Sequence, residues 1–333
     1  MKKLFVFAAA LLALASCSQG DEPQAIVQTR EICFAPAAQT RAVATAIVED
    51  ETTLETNGFS VWGYMMTDPL ATVFEKVDVA YDNGIWSPSA AADVKYWSAG
   101  NDYWFSAMAP KSLENLYSFT TNGTDHQQTI TGFEINVDAT TPDLIVARPV
   151  STQLGNNDET HTPVGLTFDH MLSRVKFTFT NKFADDNVTI YVSNVTLNGV
   201  LAKGDATIDE DGKASWSKNG DATKNVTFYE TTTEVLASAA YEKMGETVYR
   251  YIIPQNDAVY SVSFHLEIKA DNQTIATKDY TNIALNETDF VNGQGFVFNA
   301  NIKEEIIEDE LYPITFTVTV TDWKDNDPVD IEF

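Results

Sequence analysis

Apolar and polar residues alternate in short runs along much of this chain. Val175-Lys176-Phe177-Thr178-Phe179-Thr180-Asn181 is one such run, and Tyr260-Ser261-Val262-Ser263-Phe264-His265-Leu266-Glu267-Ile268 is another. Ile314-Thr315-Phe316-Thr317-Val318-Thr319-Val320 is a third. A period of two built from β-branched and aromatic residues predicts half-buried strands. Asn-Gly or Asp-Gly pairs at 83–84, 122–123, 198–199, 211–212, 219–220 and 292–293 predict turns between strands. Helical signals are few. The alanine-rich residues 233–244 predict one short helix, and residues 89–94 a single turn after Pro88. Two short pieces argue against a doubly wound parallel sheet, and the many short strands predict an all-β protein of antiparallel β-sandwiches. A polar stretch at 153–159, followed by Pro163, predicts a boundary near residue 160. That gives an N-terminal sandwich over 31–160 and a C-terminal one over 161–333.

The first residues follow a different pattern. Lys2 and Lys3 precede an apolar run over residues 4–15. A run of about twelve is too short for a bilayer core, which needs roughly twenty residues, and it fits a secretory signal over residues 1–16. Leu14-Ala15-Ser16-Cys17 resembles a bacterial lipobox. Acylation of Cys17 would anchor the chain in the outer-membrane lipid, since two or more acyl chains hold stably where one is marginal. Residues 17–30 then read as a polar tether, and the acidic stretch just after the cysteine resembles a lipoprotein surface-export signal, which implies display at the cell surface. Cys33 would be the only unmodified thiol left, which excludes an intramolecular disulfide.

Composition narrows the function. The 333 residues carry 48 acidic and 21 basic side chains, a formal charge of −27. Nucleic acid needs a basic surface and is excluded as a partner. No zincin helix, nucleophile elbow, phosphate loop or dinucleotide fingerprint occurs, so no motif nominates a catalytic residue, a cofactor or a metal. Asp205, Asp209, Glu210 and Asp211 superficially resemble a calcium loop, but Trp216 falls where an EF-hand needs its bidentate glutamate. Two strands joined at Asp211-Gly212 is the plainer expectation. Asp322, Asp325 and Asp327 read as a solvated turn. Trp62, Tyr64, Trp86, Tyr96, Trp97, Tyr103, Trp104 and Phe105 crowd the first half. They either fill its core or present a face to sugars or protein.

Several phrases, taken in order, resemble the fimbrillin (type V pilin) family of Bacteroides-type bacteria. Ile32-Cys33-Phe34 resembles its first strand, and Thr40-Arg41-Ala42 its processing site. Phe59-Ser60-Val61-Trp62-Gly63-Tyr64 is similar to F-x-V-x-x-Y, and residues 103–110 are similar to Y-x-F-x-A-x-x-P. Pro142-Asp143-Leu144-Ile145-Val146-Ala147 resembles x-D-L-L-x-A. Residues 168–175 resemble F-x-H-x-L-S-K-V, the strongest single match. Ile252-Ile253-Pro254-Gln255 and Val320-Thr321-Asp322-Trp323 complete the order. The resemblance implies two tandem transthyretin-like sandwiches and a structural or adhesive fimbrial subunit without catalysis. It implies export as an outer-membrane lipoprotein and display at the cell surface or in a fimbrium. An arginine-specific surface protease would cut between Arg41 and Ala42, in a loop over residues 36–46, and remove a first strand at 31–35 that carries Ile32 and Phe34. Other pilin subunits would then assemble head-to-tail by strand exchange, and host or bacterial surface ligands are further candidate partners. Arg30 is the other basic candidate, but a cut there would spare the strand. For the donated strand the sequence offers two sets. Ile314, Phe316, Val318 and Val320 share one face and are slightly preferred over Val329, Ile331 and Phe333. The alternative function is a surface glycan-binding lipoprotein that does not polymerise.

Overall fold

A computed structural model describes residues 30–36, 51–136, 141–158, 160–229, 233–235, 249–256, 258–285, 289–308 and 314–322. In chain order the strands begin with β1 (Phe34–Pro36), β2 (Phe59–Met65), β3 (Ala71–Asp82), β4 (Ile85–Pro88) and β5 (Asp102–Ala109). Next come β6 (Tyr117–Thr121), β7 (His126–Glu134), β8 (Ile145–Ala147), β9 (Val150–Gln153), β10 (Val164–Leu166) and β11 (Phe168–His170). The later part adds β12 (Ser173–Asn181), β13 (Val188–Leu201), β14 (Lys203–Ile208), β15 (Ala214–Lys218), β16 (Thr223–Tyr229) and β17 (Thr233–Val235). The last are β18 (Arg250–Ile252), β19 (Ser261–Ala270), β20 (Gln273–Ala284), β21 (Gln294–Ile302) and β22 (Phe316–Asp322).

The period-two pattern is realised as burial. Along β19, Val262, Phe264, Leu266 and Ile268 are buried while the residues between them are partly exposed. The Asn83-Gly84 pair closes the β3–β4 hairpin with both residues at positive φ, 51° and 87°, the conformation that matches strand twist. Asn198-Gly199 behaves differently. It lies inside β13, where the ladder to β16 shifts register between Leu197 and Val200, so the pair forms a bulge and not a turn. Gly199 sits at φ 88°, and a Cβ there would stand 2.6 Å from the Val259 carbonyl oxygen. Gly199→Ala is therefore expected to destabilise the chain by about 1–3 kcal/mol, read by urea denaturation. The helix predicted at 233–244 is corrected at its start: residues 233–235 are β17, paired with β13, and the rest lies outside the described residues. β-Branched Thr233 and Val235 suit a ladder better than a helical turn. The turn predicted after Pro88 is present at Ala91–Asp93.

Four sheets result. The largest runs β10-β1-β4-β3-β2-β5-β8-β11, with β9 also on β5. It curls so that β9 lies against β10. β18-β12-β21-β22 and β16-β13-β19-β20 face each other across a second core, with β17 on β13. The fourth, β15-β14-β7-β6, takes two strands from before residue 160 and two from after it. β10 and β11 also lie beyond residue 160, yet they pair into the first sheet. Among the described residues two ladders are parallel, β1–β10 and β12–β21, and the others are antiparallel.

Residues 168–175 are the node of this arrangement. The Met171 N–H donates to the Leu144 carbonyl at 2.8 Å, and Trp216 Nε1 donates to the Met171 carbonyl at 2.8 Å. Ser173 Oγ donates to the Val291 carbonyl at 2.6 Å, and the Gly293 N–H to Leu172 at 2.9 Å. The phrase that most resembles the family thus ties together the first sheet, the shared sheet and the loop entering β21.

Candidate functional site

The strand predicted to be removable is held as a closing element of the first core. Ile32 and Phe34 are fully buried and belong to one cluster with Phe59, Phe74, Trp86, Trp97, Phe105 and Phe168. The Phe34 ring stands edge-on to Phe59, Phe74 and Phe105, with centroids 6.2, 5.7 and 5.9 Å away. Cys33, between them, is a free thiol and is buried as well. Burial of one such phenylalanine is worth about 1.5–3 kcal/mol.

The backbone of this segment is engaged on both sides. Phe34, Ala35 and Pro36 pair in parallel with Val164, Gly165 and Leu166 of β10. Phe34 also pairs with Trp86 of β4, so β1 lies between two strands of the sheet. Upstream, the Ile32 N–H donates to the Lys95 carbonyl at 2.9 Å, and the Trp97 N–H to the Arg30 carbonyl at 3.0 Å. The Val164 N–H donates to the Cys33 carbonyl at 2.8 Å. Loss of residues 30–36 would leave facing donors and acceptors above an apolar slot between β4 and β10. The Arg30 carbonyl is part of this ladder, which ties the Arg30–Glu31 peptide down against a protease. Cys17, Arg41 and Ala42 lie outside the described residues.

The last of the described strands is also packed. β22 pairs with β21 from Phe316↔Ala300 to Asp322↔Gln294 and forms the margin of its sheet. Ile314 and Phe316 are buried in the second core, Val318 is half-buried and Val320 exposed. Phe316 stands edge-on to Phe177, Phe179 and Phe264, at 5.7, 5.9 and 6.1 Å. In the isolated chain these residues serve as the last core strand. Val329, Ile331 and Phe333 lie outside the described residues.

Most of the crowded aromatics are core. Trp62, Trp86, Trp97, Tyr103 and Phe105 are buried, and Trp104 and Tyr64 are half-buried against the second core. Trp104 has its face against His126, with centroids 3.5 Å apart. Tyr96 is the exposed member of the group. The first acidic cluster belongs to the β14–β15 hairpin, whereas Asp322 of the second, read as a turn residue, ends strand β22 in register with Gln294, and Asp325 and Asp327 lie outside the described residues. Asp205 accepts from the Gly132 N–H and from Asn219, bonds that hold its carboxyl below the usual range. Asp209 accepts from the Asp211 and Lys213 N–H groups within the β14–β15 hairpin. Among the described residues, no group of three or more His, Cys, Asp or Glu side chains is placed to hold a metal.

Sequence reasoning missed one contact. Asp143, ahead of β8, and His170, closing β11, meet with 2.9 Å between Oδ2 and Nδ1, both deeply buried. Burial pushes the Asp143 carboxyl up, and His170 and then Arg174 oppose that shift. Asp143 is the one polar residue of its phrase, but His170 is one of four in residues 168–175, so the sequence held no signal that paired them.

A family model described as fimbrillin-like matches residues 40–323. The chain belongs to the fimbrillin-like family. A crystal structure of a fimbrial protein from Bacteroides vulgatus superposes with a TM-score of 0.60 at 14% identity, covering 90% of this chain and all of the other. A Bacteroides uniformis protein described in terms of cell adhesion superposes with a TM-score of 0.52 at 15% identity, covering 89% of this chain and all of that one. At such identities the likeness is one of fold. No curated protein matches the chain. The fimbrillin-like match begins just past β1, so the segment that closes the first core precedes the matched region.

Proposed function

We propose that this chain is a structural or adhesive fimbrial subunit that polymerises by strand exchange once β1 has been removed. One observation carries this reading: residues 30–36, which end in the short inner strand β1, fill a core while the chain on its far side leads to Arg41. A strand between two neighbours can be replaced only by another strand, because its departure exposes both ladders at once. One subunit's strand in the next subunit's slot is a heterologous contact, and such contacts generate open filaments. Export as a lipoprotein through Cys17 places the precursor at the outer membrane. Cutting after Arg41 releases it from the lipid and opens the slot in the same step. The donated strand comes from the C-terminal segment that includes Ile314, Phe316, Val318 and Val320, and the other partners are further pilin subunits and an arginine-specific surface protease.

The test is cleavage of the purified chain with an arginine-specific protease, followed by an unheated denaturing gel. The wild-type chain is expected to lose its N-terminal segment and form a ladder of bands. Arg41→Ala should abolish the ladder while leaving thermal stability unchanged. Ladder formation by Arg41→Ala to the wild-type extent would overturn the assignment of the cut, and absence of any ladder from the cleaved wild type would overturn strand exchange.

A further inference from the structure

The two strands that flank β1 are held in place by different means. β10 is three residues long, stands at the end of the order β10-β1-β4, and among the described residues its ladder is to β1 alone. The Val164 N–H, at its start, goes to the Cys33 carbonyl of the same N-terminal segment. β9 lies against β10 without a ladder to it. β4, on the other flank, is secured independently of β1. It pairs with β3 along its whole length, and the Trp86 ring packs on Tyr81 and Phe59 with centroids 5.1 and 5.2 Å away. When residues 30–36 leave, β4 keeps its ladder to β3 and β10 loses the only one it has.

What then remains on the β10 side is mainly two aliphatic side chains. Val164 and Leu166 are buried in the cluster that holds Ile32 and Phe34, so the departing segment removes part of their packing too. Gly165, between them, is exposed, and a Cβ there would meet nothing within 4 Å. His161 rests against Trp97 with centroids 5.2 Å apart, but the Trp97 N–H is itself bonded to the Arg30 carbonyl. The loosening has firm limits at both ends. Upstream, the Gly155 N–H donates to the Asp158 carboxylate at 2.7 Å, and the Gly100 N–H to the Gly155 carbonyl at 3.0 Å. Downstream, the Arg148 N–H donates to the Thr167 carbonyl at 2.9 Å, and β11 pairs with β8. Arg148 also clasps Asp169 through two bonds, of 2.6 and 2.9 Å. Residues 160–166 are thus pinned at both ends and held in the middle by β1.

A strand bonded on both flanks above a closed core can leave or enter only when one flank opens, and the flank with the fewest independent contacts opens first. We infer that residues 160–166 form a strap that swings open when β1 leaves and closes again over the strand that takes its place. This rests on the reading, given above, that β1 is removed. β4 is the fixed wall on which an incoming strand first pairs. β10 folds down afterwards as the second wall and buries Val164 and Leu166 once more. Opening of the strap lets a strand enter from the side and not only by threading from an end. Its closure adds the second ladder and two buried side chains, which slows escape. The strap also covers an edge that would otherwise stand exposed to wrong partners while the slot is empty, but only loosely, because its own ladder partner is gone.

The experiment is amide hydrogen exchange on the full chain in three forms: uncut, cut after Arg41 and freed of the released segment, and cut then mixed with a synthetic peptide of residues 30–36. Amides of residues 164–166 are expected to exchange at least about a hundredfold faster in the cut chain than in the uncut one. Those of residues 85–88 and 168–170 should keep their protection, and the peptide should restore it at 164–166. Leu166→Ala should let the bound peptide leave at least about tenfold faster. Gly165→Val fits the open position and adds strand propensity, so it should slow that departure. Unchanged protection of 164–166 after the segment is removed would make β10 a fixed wall and overturn the inference. Equal loss of protection across 168–170 overturns it as well, because the whole margin of the sheet would then open and not a strap. The two readings fail separately. A protected strap in a cut chain that still forms a ladder refutes the strap alone, whereas an open strap in a cut chain that forms no ladder supports the strap and refutes strand exchange.

Discussion

Replacing His170 by leucine is expected to lower the unfolding free energy by about 3–5 kcal/mol near neutral pH, because it leaves the buried Asp143 carboxylate without its partner. The loss should shrink on acidification. Burial already raises the Asp143 carboxyl, and His170 is the chief group opposing that rise, so removing it lifts the carboxyl further. A group whose folded pKa lies above its unfolded value favours the fold below the unfolded pKa. That contribution is lost as pH rises through the folded value. The variant should therefore recover stability, relative to wild type, as pH falls from about 7 toward the ordinary carboxylate range near 4. Urea denaturation of both chains across that range measures the difference, and a deficit independent of pH would contradict the assignment. The pair sits where the first sheet hands over to the loop entering β21, with Asn292 Nδ2 donating to the His170 carbonyl at 3.0 Å. Its loss should reach both cores in one transition.

The second large effect depends on which form of the chain carries the change. In the unprocessed chain, Phe34→Ala empties a site lined by three phenylalanines and should cost about 3–5 kcal/mol. The Cys33 thiol, buried just ahead of β1, should become correspondingly faster to label. Once the chain is cut after Arg41 the substituted residue is gone, and assembled material from the variant should match wild type in its resistance to denaturant. A core residue that mattered in both forms would weaken both. Denaturation of the uncut chain and the ladder of the cut chain, run side by side, distinguish the two cases.

The legible parts of the fold were those governed by local periodicity. Alternation along residues 260–268 marks a strand whose burial follows that pattern, whereas residues 175–181 form the strand but bury Lys176, Thr180 and Asn181 as well, because β12 lies between β18 and β21 inside its sheet. Asn83-Gly84 marks a hairpin because its backbone requirement is purely local. Asn198-Gly199 carries the same dipeptide signal but sits in a bulge, since the neighbouring ladders outweigh the turn preference. Residues 233–235 pair with β13 despite their alanine-rich continuation, again because a partner strand prevails over propensity. The parallel alignment of β1 with β10 is absent from any local pattern, as it joins residues 34–36 to residues 164–166. For the candidate site, Ile32 and Phe34 stood out by alternation and are indeed buried. Their placement between β4 and β10 belongs to topology. The Asp143–His170 contact joins two distant phrases, and no spacing within either one announces it.

Removal of β1 at the cell surface is tested most directly by the N-terminus and intact mass of the protein taken from native surfaces. A chain starting at Ala42, free of lipid and running as a denaturant-resistant ladder, is the predicted result. A chain starting at acylated Cys17, with β1 retained and no ladder, would contradict it and leave a subunit that anchors or binds at the surface without polymerising.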